Sequence, residues 1–214
     1  MAYRRLIAFD ADFTLIKYEP RALSKFLYTA VAQRMVGLGF PSALLAPRYT
    51  EEMHLTVESG LTADFQTGYL LKLDETQTIC KAYLGFDPVS SASLTRYNFA
   101  EAHRKVVPGR WATCASNFDH RLTHAFRSCV DLVSLGELPI SYLRIWEGIE
   151  KADRMVYQDP DSFRLLFADL PHYVRRWPEK VKETLAQLRT EDTAIGLFSN
   201  STEAYVDLNS LCHK

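Results

Sequence analysis

Two carboxylates separated by one residue, Asp10 and Asp12, are followed by Phe13 and Thr14 and preceded by the apolar run Leu6-Ile7-Ala8-Phe9. Phosphoryl transfer from an ester needs an oxygen nucleophile in line with the leaving group, a proton for the departing oxygen, and positive charge against the phosphate. Acids at this spacing meet the first two needs. Asp10 could attack phosphorus to form an aspartyl-phosphate, while Asp12 protonates the leaving alkoxide and then takes a proton from the attacking water. Two anions facing a phosphate dianion call for a hard cation, and the Asp10 carboxylate with the Asp12 backbone carbonyl are oxygen ligands that suit Mg²⁺. On these five residues alone a competing reading stands beside this one: aspartates after a strand commonly cap a turn or the next helix.

A nucleophile of this kind must be presented by a strand end. Leu6–Phe9 is a short continuous apolar run stopping at Asp10, the pattern of a strand buried on both faces of a parallel sheet, whose carboxyl end is where open α/β sheets place ligands. A second such run, Thr193-Ala194-Ile195-Gly196-Leu197-Phe198, ends at Ser199-Asn200-Ser201. Ser199 could give its hydroxyl and the adjoining backbone N–H groups to a phosphate at the start of a following helix, with Asn200 orienting the pocket. Serine and asparagine are also favoured N-caps anywhere, so it is the pairing with Asp10 that gives them weight.

Between the two runs the texture changes. Apolar residues from Leu23 to Val31 at three- and four-residue steps predict a helix after Pro20 that Gly37 and Gly39 stop. Tyr69–Leu73 and Thr78–Ala82 around Asp74-Glu75-Thr76-Gln77 predict a β-hairpin. Residues 122–146 suit helices, Asp159-Pro160-Asp161 is turn chemistry, and Pro178 opens a helix carrying Val181, Leu185 and Leu188 on one face. The expected fold is α/β: a parallel-sheet core from residues 1–45 and 165–214, with residues 46–164 inserted as an α+β cap that closes over the reaction centre and selects the substrate.

Composition narrows the partners. The chain has 214 residues, 47% of them hydrophobic, and 25 Lys plus Arg balance 26 Asp plus Glu. That is enough to bury a core and leaves no charge excess to draw it onto nucleic acid or an anionic membrane. Cys80, Cys114, Cys129 and Cys212 form no CxxC pair, and no apolar stretch has the length of a signal core or a membrane span, so a cytoplasmic protein is expected. His120 and His124 lack a third ligand; Arg121 and Arg127 could meet a phosphate or ribose but better suit a solvated face, and Met, Phe and Tyr residues between Phe126 and Tyr157 could form a nucleobase pocket but at helical spacing better suit ordinary core.

Three stretches resemble the haloacid-dehalogenase-like 5′-nucleotidase family, especially the branch of cytosolic purine 5′-nucleotidases and their 5′-nucleotidase domain-containing relatives. They are Ile7–Tyr18, the segment from Gly60-Leu61 through Gly68-Tyr69-Leu70-Leu71-Lys72-Leu73-Asp74 to Gly85, and Trp177-Pro178 through Ser201. The first is similar to the family's nucleophile motif, the second to its G-N-L-L-K-x-D hairpin, and the third to its helix and second motif. The resemblance implies a Rossmann-like core with a cap, Mg²⁺ as cofactor, and hydrolysis of a nucleoside monophosphate or another small phosphomonoester. Phe118-Asp119 fall where the family has a Phe-Asn pair that contacts the nucleobase. The family's third motif, with a lysine, and its fourth, with an acidic pair, have no counterpart before Lys214, which implies a C-terminally truncated form. Two readings follow: a Mg²⁺-dependent phosphohydrolase, or a catalytically inactive relative that binds without turnover. An incomplete sheet would also leave an exposed edge favouring self-association.

Overall fold

The computed structural model describes residues 5–10, 14–51, 58–94, 97, 109–189 and 192–198. Along the chain run β1 (Arg5–Asp10), β2 (Lys17–Tyr18), α1 (Pro20–Gly37), a single turn α2 (Pro47–Thr50), β3 (Leu61–Asp64), β4 (Tyr69–Leu73), β5 (Ile79–Leu84), β6 (Asp87–Pro88) and a short α3 (Ser91–Leu94). There follow β7 (Trp111–Cys114), α4 (His120–Ser134), α5 (Tyr142–Gln158), α6 (Arg164–Ala168), α7 (Leu170–Tyr173), β8 (Val174–Arg175), α8 (Glu179–Leu188) and β9 (Thr193–Phe198). The fold is mixed α/β, with parallel and antiparallel pairing. It forms two compact units, Met1–Leu23 with Phe163–Lys214, and Ser24–Ser162. The division falls within α1.

In the first unit β1 and β9 pair in parallel, in register from Arg5 with Thr193 to Asp10 with Phe198. The two apolar runs are therefore neighbouring strands although nearly the whole chain separates them. Helix α8 packs on β9. It starts after Pro178, whose fixed φ and extended ψ suit the residue before a first turn. Antiparallel β2 and β8 pair Lys17 with Arg175 and Tyr18 with Val174. Around them Ile16, Tyr18 and Val174 are buried, and the Trp177 indole N–H donates to the Leu15 carbonyl.

Burial of β1 departs from expectation. Leu6 is 70% exposed and Phe198 71%. Side chains alternate along a strand, so Leu6, Ala8 and Asp10 share one face, with Phe198 beside Asp10, while Ile7 and Phe9 lie half-buried on the other. The continuous apolar run anticipated layers on both faces. Among the described residues β1 and β9 make a two-stranded sheet, and the Leu6 face stays open.

In the second unit the strand order is β6-β5-β4-β3-β7, antiparallel throughout. The hairpin anticipated at Asp74–Gln77 joins β4 to β5, and the Asp74 carboxylate closes it by accepting the backbone N–H groups of Thr76 and Thr78, each at 2.8 Å. The core gathers Tyr28, Val31 and Met35 of α1, Phe126, Cys129 and Leu132 of α4, Ile145 and Ile149 of α5, and Leu61, Leu70 and Leu71 of the sheet. Phe126 and Trp146 meet edge to face at 5.9 Å, as core aromatics on two helices should, and Phe65, from the β3–β4 connection, lies 5.3 Å from Trp146. Cys80, Cys114 and Cys129 are free thiols.

Candidate active site

Asp10 is the last residue of β1, and its carboxylate is exposed. Among the described residues it accepts one hydrogen bond, from the Thr14 hydroxyl, at a long 3.4 Å. The threonine of the Asp-x-Asp-x-Thr element therefore lies beside the first aspartate. Both oxygens retain lone pairs for an electrophile or a hard cation, and an all-oxygen donor of this kind fits magnesium.

The parallel register sets Phe198 directly beside Asp10. Ser199 and Asn200 are the next two residues in the chain, so the described part of β9 ends level with the end of β1. Ser199, Asn200 and Asp12 themselves lie outside the described residues. Among the described residues, no group of three or more His, Cys, Asp or Glu could hold a metal ion, and no helix is long and apolar enough to cross a membrane.

Phe118 and Asp119 belong to the second unit, in a 3₁₀ turn at the entrance to α4. Asp119 is engaged in a capping box: it accepts the Ser116 backbone N–H at 2.9 Å, while the Ser116 hydroxyl accepts the Phe118 N–H at 3.0 Å. The Phe118 carbonyl accepts from Arg121. The turn is thus pinned through its backbone, and the Phe118 side chain is half-buried. Nearby, burial pushes the Cys114 thiol up to about 12, with Asp119 adding to the effect and Arg121 opposing it. That thiol is no nucleophile near neutral pH.

Neither arginine on α4 lies on a solvated face as expected. Arg121 is 6% exposed and holds Asp153 of α5 bidentately, at 2.5 and 2.8 Å. Buried Arg127 donates to the Gly85 carbonyl at 3.0 Å, with its guanidinium over the rings of Tyr83 and Phe86. Burial lowers its pKa, against the opposing influence of Tyr83 and Glu58. The two histidines serve different partners: His120 Nε2 lies 2.9 Å from the Ser59 hydroxyl, and His124 Nε2 lies 2.7 Å from the Tyr49 carbonyl. Both are pushed down chiefly by burial, His124 to about 4.

Compared with known families, the sequence matches the 5′ nucleotidase family over residues 1–211. The chain belongs to the 5′ nucleotidase family. This match runs from the strand carrying Asp10 through the second unit to the segment after β9, so both units are part of the family's pattern. It makes the protein a nucleotide phosphohydrolase in general character. The role of Thr14 beside Asp10 was carried in the sequence by the motif's fifth position. The Arg121–Asp153 pair had no such signal, because its partners are 32 residues apart on different helices.

Proposed function

We propose that this member of the 5′ nucleotidase family hydrolyses nucleoside monophosphates through an aspartyl-phosphate on Asp10, on a haloacid-dehalogenase-like core with an inserted cap, in the cytoplasm. The observation that carries the proposal is the end of the parallel β1–β9 pair: an exposed Asp10 carboxylate, in register with the residue preceding Ser199. In the first half-reaction an Asp10 oxygen forms a bond to phosphorus, the ester P–O bond breaks, and Asp12 delivers a proton to the departing ribose 5′-oxygen. In the second, water attacks phosphorus and gives its proton to Asp12 while the Asp10–phosphorus bond breaks, releasing phosphate and restoring both acids. Ser199 and Asn200 would hold the phosphate oxygens through a hydroxyl and backbone N–H groups. Asp10 and the Asp12 carbonyl would hold Mg²⁺, which when bound supplies positive charge against the phosphate. Phe118 would offer its ring to the nucleobase, with Asp119 beside it.

The test is phosphate release from a panel of nucleoside monophosphates by the purified full chain with Mg²⁺. Asp10→Asn should reduce release by on the order of 10⁴-fold, the scale on which loss of a nucleophile acts. Chelation of divalent cations should abolish it and added Mg²⁺ restore it. Release equal in the wild-type chain and Asp10→Asn would overturn the enzymatic reading and leave a binding protein.

A further inference from the structure

Trp177 joins the chain leaving β1 to the chain approaching β9. The β2–β8 ribbon sets Tyr18 against Val174 and Lys17 against Arg175. Carried two residues further, the same register faces Leu15 with Trp177, and there half-buried Trp177 donates its indole N–H to the Leu15 carbonyl. The other end of the ribbon is held independently. The Glu19 N–H donates to the Tyr173 carbonyl at 2.7 Å, and Arg175 grips the Glu19 carboxylate with two nitrogens, at 2.6 and 3.0 Å. Pro178 follows Trp177, and a residue before proline is pushed toward extended backbone, so the indole springs from a stiff stem. Leu15 adjoins Thr14, whose hydroxyl donates to Asp10. Only Ala11 to Thr14 separate Asp10 from Leu15 in the chain, and Asp12 is among them. The two ends of this short connection are therefore fixed, one by the pairing of β1 with β9 and the other by the indole. From Trp177 the chain runs through α8 into β9, so one stretch both anchors the connection and leads to Ser199.

We infer that Trp177 is a positioning residue for the proposed phosphoryl transfer: by holding the Leu15 carbonyl it fixes the connection that carries Asp12, and with it the aim of the general acid at the departing ester oxygen. This rests on the phosphohydrolase reading above. A proton donor works only within hydrogen-bond reach of the oxygen it serves, and a misplacement of about 1 Å caused from a distance can cost on the order of 100-fold in rate. A bond made by a residue outside the reacting set aims the acid before the substrate arrives.

The decisive quantity is the ratio of kcat/KM for adenosine 5′-monophosphate to that for 4-nitrophenyl phosphate, measured on the full chain with Mg²⁺. Both values report the first half-reaction, but the ribose 5′-oxygen needs a proton to leave, whereas 4-nitrophenolate leaves as a stable anion. A loss of folded protein lowers both values equally and cancels in the ratio. Asp12→Ala sets the scale and should lower the ratio by on the order of 10²-fold. Trp177→Phe keeps an apolar ring and removes the donor, and should lower it about tenfold. Arg175→Gln opens the exposed fork of the same ribbon without touching the indole bond, and should leave it within about twofold. A ratio within about twofold of wild type in Trp177→Phe while Asp12→Ala lowers it, or an equal fall in Arg175→Gln, overturns the role of Trp177 and leaves the phosphohydrolase reading intact. Where Trp177→Phe yields no folded protein, Trp177→Met is read by the same criterion. Failure of both to fold makes the indole a structural element and overturns the inference. Phosphate release equal in the wild-type chain and Asp10→Asn, or a ratio unmoved by Asp12→Ala, overturns the proposed chemistry and this inference with it.

Discussion

Asp64, at the end of β3, is fully buried, and its two oxygens accept five hydrogen bonds. One oxygen takes the Gln66 N–H and Arg110 Nε, each at 2.9 Å. The other takes the Thr67 hydroxyl at 2.8 Å, the Tyr97 hydroxyl at 2.6 Å and an Arg110 terminal nitrogen at 2.9 Å. Every partner is a donor, so Asp64→Asn keeps the shape and inverts the chemistry at one position. Whichever way the amide turns, its NH₂ faces at least two donors, and Arg110, itself largely buried, loses its counter-charge. Breaking one side of a buried, hydrogen-bonded ion pair costs about 3–5 kcal/mol. Urea unfolding followed by the emission of Trp111 and Trp146 should therefore show a midpoint lower by about 2 M, for a denaturant slope of about 2 kcal/mol per M. Acidity supplies a second readout. Burial would push the Asp64 carboxyl up, but the bonds from Arg110, Tyr97, Gln66 and Thr67 outweigh it and hold it below the usual carboxylate range. As pH falls below about 4 the unfolded chain takes up this proton before the folded one, so the stabilisation present at neutral pH is lost in that window. Asp64→Asn should lack this acid loss. A cooperative Asp64→Asn protein less than about 1 kcal/mol weaker than wild type, with an unchanged acid limb, would refute the reasoning.

Three further outcomes follow from individual contacts. His124, buried and depressed to about 4, stays neutral in the folded chain while an unfolded histidine protonates near pH 6.5. Stability should drop by on the order of 2–3 kcal/mol as pH falls from about 6.5 toward 4, and pH-dependent unfolding of His124→Gln should show that loss removed. Gly68 sits at φ +77°, where a Cβ would come within 2.6 Å of the Tyr142 ring. Gly68→Ala should accordingly cost about 2–3 kcal/mol in urea unfolding, with part recovered by adding Tyr142→Ala. Asp10→Asn should shift stability by less than about 0.5 kcal/mol in the same measurement, because the carboxylate is exposed and the bond it accepts from Thr14 is long.

What could be read in advance depended on the range of the interaction. Strands β1, β4, β5 and β9 and helix α8 carry their own signals in apolar runs, a polar turn and a proline. The adjacency of β1 and β9 was inferred from chemistry, since two strand ends bearing phosphate-handling residues are useful only together, and the register of Asp10 with Phe198 agrees. Burial was harder to read. Leu6-Ile7-Ala8-Phe9 anticipates two covering layers, but a run of apolar residues cannot show how many layers exist to cover it. Arg121 and Arg127 failed in the opposite direction. Charge argues for solvent one residue at a time, whereas their burial is made tolerable by a carboxylate 32 positions away and a carbonyl 42 positions away.

The same physics separates the two aspartates that matter most here. Asp64 and Asp10 both end a β-strand, and either could be taken from sequence for a turn-capping acid. Asp64 is one: its lone pairs are spent on five donors, it has no solvent exposure, and its proton affinity is lowered by the groups that immobilise it. Nothing about it can reach a phosphorus atom. Asp10 stands at the opposite limit, exposed at the end of a parallel strand with, among the described residues, one long bond from Thr14. A nucleophile must keep its lone pairs available until the substrate arrives, and a metal ligand must do the same for its cation. An exposed acid at the end of an apolar strand adds little to the fold, and the proposed nucleophile role is what would account for its place.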